Sequence, residues 1–265
     1  MIMEKYNALQ NILREMETIV VAFSGGVDST FLLKAALDTL GPERVLAVTT
    51  NSESFPAAEL EEAKKIAIQL GAKHCVIETS EIAIPGYKEN DINRCYYCKK
   101  NLFQLLIPMM ESHGYKNVVY GLIADDLREH RPGVKAAKEL EVRGPLQEAG
   151  LYKEEIRLLS KEMNLPTWDK PSLACLSSRV AYGEVITSEK LTKIDQSEEF
   201  IRSLGIRQVR VRTHEETARI EVEPKDMSTV LKNYQAIQQK LVSFGYTYVT
   251  LDLSGYESGS MNKKL

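Results

Sequence analysis

Thr18-Ile19-Val20-Val21-Ala22-Phe23-Ser24-Gly25-Gly26-Val27-Asp28-Ser29-Thr30 passes from an apolar run directly into a helical pattern, and its reading decides the fold. Residues 18–23 have the short, β-branched, uninterrupted apolar character of a buried strand. From Ser29 to Leu40 the apolar residues Phe31, Leu32, Ala35, Ala36 and Leu40 fall at helical spacing. Between the two, Gly25 and Gly26 let the backbone turn tightly and approach a ligand. The free N–H groups opening the helix then face an anion, aided by the helix dipole, and Ser24 and Ser29 add hydroxyl donors. The loop has neither Gly-Lys-Ser/Thr nor Gly-x-Gly-x-x-Gly, so the two best-known phosphate loops are excluded. Asp28 is its unusual member, because a carboxylate in an anion cradle is costly unless a cation such as Mg²⁺ sits beside it. The plainer alternative is a strand–helix turn with small polar residues; the order strand, loop, helix favours the phosphate reading.

Outward from this stretch, strands are expected at residues 44–49, 73–78 and 117–121. Helices are expected at 56–70, at 96–113 with Pro108 bending it, and at 153–163. Such alternation implies an α/β fold, a parallel sheet with helices on both faces. After about Asn164 the pattern changes to helix 188–204, strands 208–213 and 218–223, one helix over 226–244, and a strand at 246–251. The expected organisation is therefore a nucleotide domain over 1–168 and a smaller C-terminal α+β domain over 169–265. The last ten residues, polar and rich in Gly and Ser, read as mobile.

Of the 265 residues 43% are hydrophobic and 27% charged, with a net charge of −3, which gives no general attraction to nucleic acid or membrane. Met1-Ile2-Met3-Glu4-Lys5 lacks the apolar stretch of a secretory signal, no run is long enough to span a membrane, and the expected compartment is the cytoplasm. In that setting the four cysteines, Cys75, Cys95, Cys98 and Cys175, suggest metal or thiol chemistry rather than disulfides. Cys75 lies in an apolar strand and reads as core. Cys95 and Cys98, at i and i+3, share one face of a helix start among Arg94, Lys99 and Lys100, a setting that favours thiolates. The pair alone fits half a zinc site, a redox pair or part of an iron–sulfur site. The four histidines show no metal-ligand spacing, and His130 alone, in a loop beside Arg131, is placed near a site. Arg210 and Arg212 alternate along one strand, hence project from one face and suit a phosphate, or else form a charged outer face.

Ser24-Gly25-Gly26-Val27-Asp28-Ser29 resembles the signature of the PP-loop ATP pyrophosphatases. The resemblance implies that Ala22, Phe23, Ser24, Gly25, Gly26, Asp28 and Ser29 hold the β,γ-phosphates of ATP with Mg²⁺ while a substrate attacks the α-phosphorus. Thr49 and Ser52 would lie beside the adenosine, and Gly121 would close the fourth strand. Gly144-Pro145-Leu146 followed by Lys153-Glu154-Glu155-Ile156-Arg157 resembles the last strand and helix of that superfamily. Residues 93–100, His130-Arg131-Pro132-Gly133, Ser172 to Arg179, Val209 to Arg212 and Tyr248 to Leu253 together resemble the LarE family, over about Tyr6 to Asn262. That family inserts sulfur in the biosynthesis of the nickel-pincer nucleotide of lactate racemase. The resemblance implies an ATP-dependent sulfur transferase, with a pyridinium mononucleotide as substrate and a homohexamer as the assembly. It also implies two possible sulfur sources. One is Cys175 itself, sacrificed to dehydroalanine. The other is a [4Fe–4S] cluster on Cys95, Cys98 and Cys175, which the presence of all three cysteines favours. Ser178, Arg179, Arg210, Arg212 and Glu221 would then surround the substrate phosphate. A tRNA thiolase, an amide ligase of the NAD-synthetase kind and a non-catalytic nucleotide sensor are the alternatives. The chain shows no evident basic tRNA-binding extension.

Overall fold

Strand β1 (Ile19–Ala22) lies between β2 (Val45–Asn51) and β4 (Asn117–Tyr120), with β3 (Lys73–Glu78) outside β2, in a sheet ordered β3-β2-β1-β4. All its pairings are parallel; Val20, for example, stands opposite Leu46 and Val118. The structure is a computed structural model that describes residues 2–128, 132–172, 174–257 and 259–261. It divides into two compact units, one of residues 1–52, 57–79 and 95–172, the other of residues 53–56, 80–94 and 173–265.

In the first unit β1 is buried on both faces, which is why its sequence is continuously apolar. Ile19 and Val21 join a core with Leu9, Leu13, Phe31 and Leu159. Val20 faces the other way, into a core with Val48, Phe103, Leu106 and Val118. Helices α1 (Ile2–Met16), α2 (Val27–Leu40), α3 (Ala57–Gln69) and α7 (Lys153–Glu162) supply the first core, and α4 (Arg94–Ser112) and α5 (Pro132–Glu139) the second. The parallel sheet with helices on both faces is as expected. Helix α1 was not; its buried Tyr6, Leu9, Leu13 and Met16 carry a readable three-and-four spacing. The expected last strand is reduced to a single bridge between Val119 and Arg143, because Pro145 lacks a donor and opens the short helix α6 (Pro145–Glu148).

In the second unit β5 (Val209–His214) and β6 (Thr217–Val222) are antiparallel, and β7 (Tyr248–Leu251) runs parallel to β6. Parallel pairing needs a crossover, supplied by α9 (Met227–Lys232) and α10 (Tyr234–Ser243). One helix over 226–244 was expected. It is broken at Asn233, whose side-chain amide donates to the Thr229 carbonyl at 2.8 Å and competes with the helical ladder. Helix α8 (Ser188–Ser203), capped by the Thr187 hydroxyl, packs Ile201 with Val209, Val211, Ile220 and Leu241. In the described part of the tail Tyr256 N–H donates to the Val222 carbonyl and Ser260 bonds to Glu221, while residues 258 and 262–265 of the expected mobile end lie outside the described residues. No helix among the described residues is long and apolar enough to cross a membrane.

Candidate active site

The strand order reverses at β1, with β2 on one side and β4 on the other, so the loop leaving its carboxyl end sits at the crevice where parallel sheets bind ligands. Gly26 is the N-cap of α2 and makes no side-chain cap bond, which leaves the opening N–H groups of the helix for an anion. Gly25 has φ +68°, and a Cβ there would stand 3.0 Å from the Ala63 backbone, so both conformation and space demand glycine. Gly121, beyond β4, is needed for closeness: a Cβ would lie 3.1 Å from the Ser29 nitrogen and 3.2 Å from the Asp28 Cβ. The Ser24 and Ser29 hydroxyls are 3.1 Å apart and the Gly26 N–H reaches Ser24 Oγ at 3.4 Å, long bonds that a better acceptor could replace.

Asp28 does have a cation beside it, a residue the sequence reading left without a role. Lys153, the first residue of α7, places Nζ 2.8 Å from both Asp28 carboxylate oxygens, and its backbone N–H donates to Asp125. On the β2 side, Thr49 is buried and its hydroxyl donates to the Phe23 carbonyl at 2.7 Å and meets His74 Nε2 at 2.9 Å. Phe23 packs edge-on against the His74 ring, whose pKa is lowered by burial and by the nearby Lys64. Thr49 thus braces the start of the loop, with Ala22 ending β1 before it and the half-buried Ser52 directly after β2.

Cys95 and Cys98 occupy the first turns of α4, Cys95 exposed and Cys98 half-buried. The neighbouring cations are engaged elsewhere: Lys99 lies over the Phe103 and Tyr120 rings and Lys100 over Tyr96, while Arg94 donates to Asn90 and to the Ser177 carbonyl. None of the four cysteines is in a disulfide, and half-buried Cys75 packs against the second core of its unit, as its apolar strand implied. Among the described residues no three His, Cys, Asp or Glu side chains form a metal-holding group. His130 and Arg131 lie outside the described residues.

Cys175 belongs to the second unit and is the N-cap of a 3-10 turn, Leu176–Arg179. Its carbonyl accepts from Arg179 Nη1 (2.9 Å), the Ser178 hydroxyl (2.8 Å) and the Ser178 N–H (3.0 Å). The turn is pinned further by Leu176 N–H to the Ser54 carbonyl, and by Ser177, whose hydroxyl meets Tyr87 at 2.7 Å. Tyr87 in turn donates to Glu81, which also accepts from the Ser54 hydroxyl. Segments 53–56 and 80–94 are thus part of the frame that holds Cys175.

Arg179 is fully buried and forms a two-pronged pair with Glu198 of α8 at 2.8 and 3.0 Å. Burial alone would push the Glu198 carboxyl up; Arg179, with Arg210 and Arg202, instead holds it below the usual range. Arg212 bonds to buried Glu221 at 3.0 Å, and Glu221 also accepts from Arg219 and Ser260. Glu221 is therefore an anchor for arginines. Arg210 stacks over the Tyr256 ring at 5.3 Å, and burial, with repulsion from Arg179, lowers its guanidinium to about 10. The sequence reading missed Glu198. Its signal was available: four residues after Ile194 and three before Ile201, it is a carboxylate on the buried face of α8.

A family model described as NAD synthase matches residues 2–102. An uncharacterized protein of Synechocystis sp. is 43% identical over 100% of this chain and 99% of its own. The pyridinium-3,5-bisthiocarboxylic acid mononucleotide synthase of Lactiplantibacillus plantarum is 38% identical over 96% of this chain and 92% of its own. This chain belongs to the LarE family. A glutamine-dependent NAD(+) synthetase of Aquifex aeolicus is 35% identical, but over only 35% of this chain and 17% of its own, a partial likeness beside the LarE match. LarE membership extends through both units, so the second unit belongs to the family as much as the phosphate loop does.

Proposed function

We propose that this protein is an ATP-dependent sulfur transferase acting on pyridinium-3,5-biscarboxylic acid mononucleotide. The observation that carries the reading is the uncapped, glycine-built loop at Ser24–Ser29, in a chain similar to a named synthase over nearly its whole length. A substrate carboxylate oxygen attacks the α-phosphorus of ATP, the bond to the β-phosphate bridge breaks, and pyrophosphate leaves. A sulfur nucleophile then attacks the activated carboxyl carbon, and AMP departs with the former carboxylate oxygen, leaving a thiocarboxylate. The loop N–H groups and Mg²⁺ would take the charge of the departing pyrophosphate. Asp28 would turn from Lys153 to the metal, freeing the ammonium for a phosphate oxygen.

The arginine cluster supports recognition of the substrate phosphate. Arg210 is a desolvated cation repelled by its neighbour Arg179, so an arriving phosphate would relieve it. Ser178 and Arg179 would act mainly by fixing the Cys175 turn.

For the sulfur source, the donor chemistry fits three thiolates: Cys95, Cys98 and Cys175 are in no disulfide, and the first two are one turn apart. When bound, a [4Fe–4S] cluster on three cysteines leaves one iron able to hold a sulfide. Anaerobically reconstituted protein should contain iron and turn over repeatedly, and Cys95→Ala should lose both while still releasing pyrophosphate. Iron-free protein, or repeated turnover without Cys95 and Cys98, would rule out the cluster. Conversion of Cys175 to dehydroalanine after a single turnover would establish the sacrificial route.

A further inference from the structure

Lys170 is a buried cation outside every role described so far. Its Nζ lies 3.2 Å from the Gly25 carbonyl oxygen and 2.8 Å from one carboxylate oxygen each of Glu59 and Glu62. Glu59, Glu62 and Ala63 are spaced i, i+3, i+4, so they share one face of α3. Ala63 is the residue that a Cβ on Gly25 would strike. One turn of α3 therefore supplies both the wall behind the loop and the two carboxylates that hold the ammonium against it. The backbone carrying Lys170 is fixed as well: Arg157 of α7 donates to the carbonyls of Trp168 (2.7 Å) and Lys170 (2.8 Å), and Lys170 N–H donates to Thr167 at 3.0 Å.

The Gly25 carbonyl and the Gly26 N–H belong to one trans peptide, so they point in opposite directions. Fixing the carbonyl at the back of the loop fixes the N–H toward its inside, where it faces the Ser24 hydroxyl at 3.4 Å. Glycine on both sides would otherwise let this peptide rotate more freely than any other in the loop.

We propose that Lys170, clamped by Glu59 and Glu62, is a positioning residue that sets the Gly25–Gly26 peptide plane and so aims the Gly26 N–H at the β,γ-phosphates of ATP. This rests on the loop's reading as a phosphate site. Its specific consequence is that Lys170 acts on the pyrophosphate moiety and not on the rest of the nucleotide.

The test is calorimetric binding of Mg-pyrophosphate and of AMP to the full-length protein, with melting temperature as a check. Lys170→Met should bind Mg-pyrophosphate about tenfold more weakly, the loss of one well-aimed hydrogen bond to a charged group, with AMP affinity unchanged. Glu62→Gln, at a partly exposed carboxylate, should fold normally and show a smaller loss in the same direction even if Lys170→Met does not fold. Unchanged pyrophosphate affinity in the folded variants, or equal loss of AMP and pyrophosphate, would overturn the assignment while leaving the phosphate loop intact. Failure of the unaltered protein to bind Mg-pyrophosphate or ATP would instead remove the phosphate reading and this inference with it.

Discussion

The loop at Ser24–Ser29 and the arginine cluster around Glu198 and Glu221 are made of different materials. In the loop the donors are backbone N–H groups, and side chains matter mostly by being absent, as at Gly25, Gly26 and Gly121. In the cluster the donors are long side chains, three of them placed by a buried carboxylate: Arg179 by Glu198, Arg212 and Arg219 by Glu221. The backbone site is set by the strand and helix around it, with a single buried cation, Lys170, behind its most mobile peptide. A side-chain site must be held by partners, and those partners are buried charges that are costly to strand alone.

The sharpest way to break this contrast is Gly25→Ala. A side chain at φ +68° against the Ala63 backbone should displace the loop and cut pyrophosphate release by roughly 100-fold, with little change in the arginine cluster. Near-normal release would mean the backbone conformation is not what binds phosphate.

Glu198→Ala should act through stability instead. It leaves Arg179 buried without its carboxylate, at a cost of about 3–5 kcal/mol, seen as a melting temperature lower by roughly 10 °C. The pH dependence follows from the direction of the Glu198 shift. Its folded pKa is below the ordinary 4.5, so its stabilisation is complete above that value and is lost as pH falls through the lower folded value. The melting difference between the two proteins should be constant at neutral pH and shrink only in acid. A gap that is constant down to the lowest pH would contradict the pairing.

Arg210→Leu sharpens the contrast within the cluster. It should weaken binding of the pyridinium mononucleotide by about tenfold, leave ATP affinity alone, and cost less stability than Glu198→Ala, because buried Glu198 loses one cation but keeps Arg179 and Arg202. Arg212→Leu should weaken the same ligand but also lower the melting temperature, since it deprives buried Glu221 of a partner. Titration calorimetry and thermal melts on the two variants separate these outcomes. The smallest effect belongs to Tyr87→Phe, which removes one hydroxyl linking Glu81 to Ser177: about 1 kcal/mol of stability, with a modest slowing of sulfur transfer and no change in pyrophosphate release.

The same contrast explains what could be read in advance. The loop was legible because its requirements are local: an apolar strand, two glycines and a helix in unbroken order. Cys95 and Cys98 were legible as a pair for the same reason. Glu198 was hidden because its partner Arg179 is 19 residues away in the sequence, and Lys153 because Asp28 is 125 residues away. The frame around Cys175 was hidden most thoroughly, since residues 53–56 and 80–94, which interrupt the sequence of the first unit, join the second.

By itself, then, the sequence determined the parallel sheet, the place of the phosphate loop in it and the family resemblance, because strand and helix periodicity and the need for glycine are properties of a few adjacent residues. Tertiary structure alone decided which charges face one another: Lys153 on Asp28, Lys170 behind Gly25, Glu198 beneath Arg179. A buried charge is stable only beside its partner, and the approach of two residues far apart in the chain is fixed by the packing of whole helices and strands, which no local pattern contains.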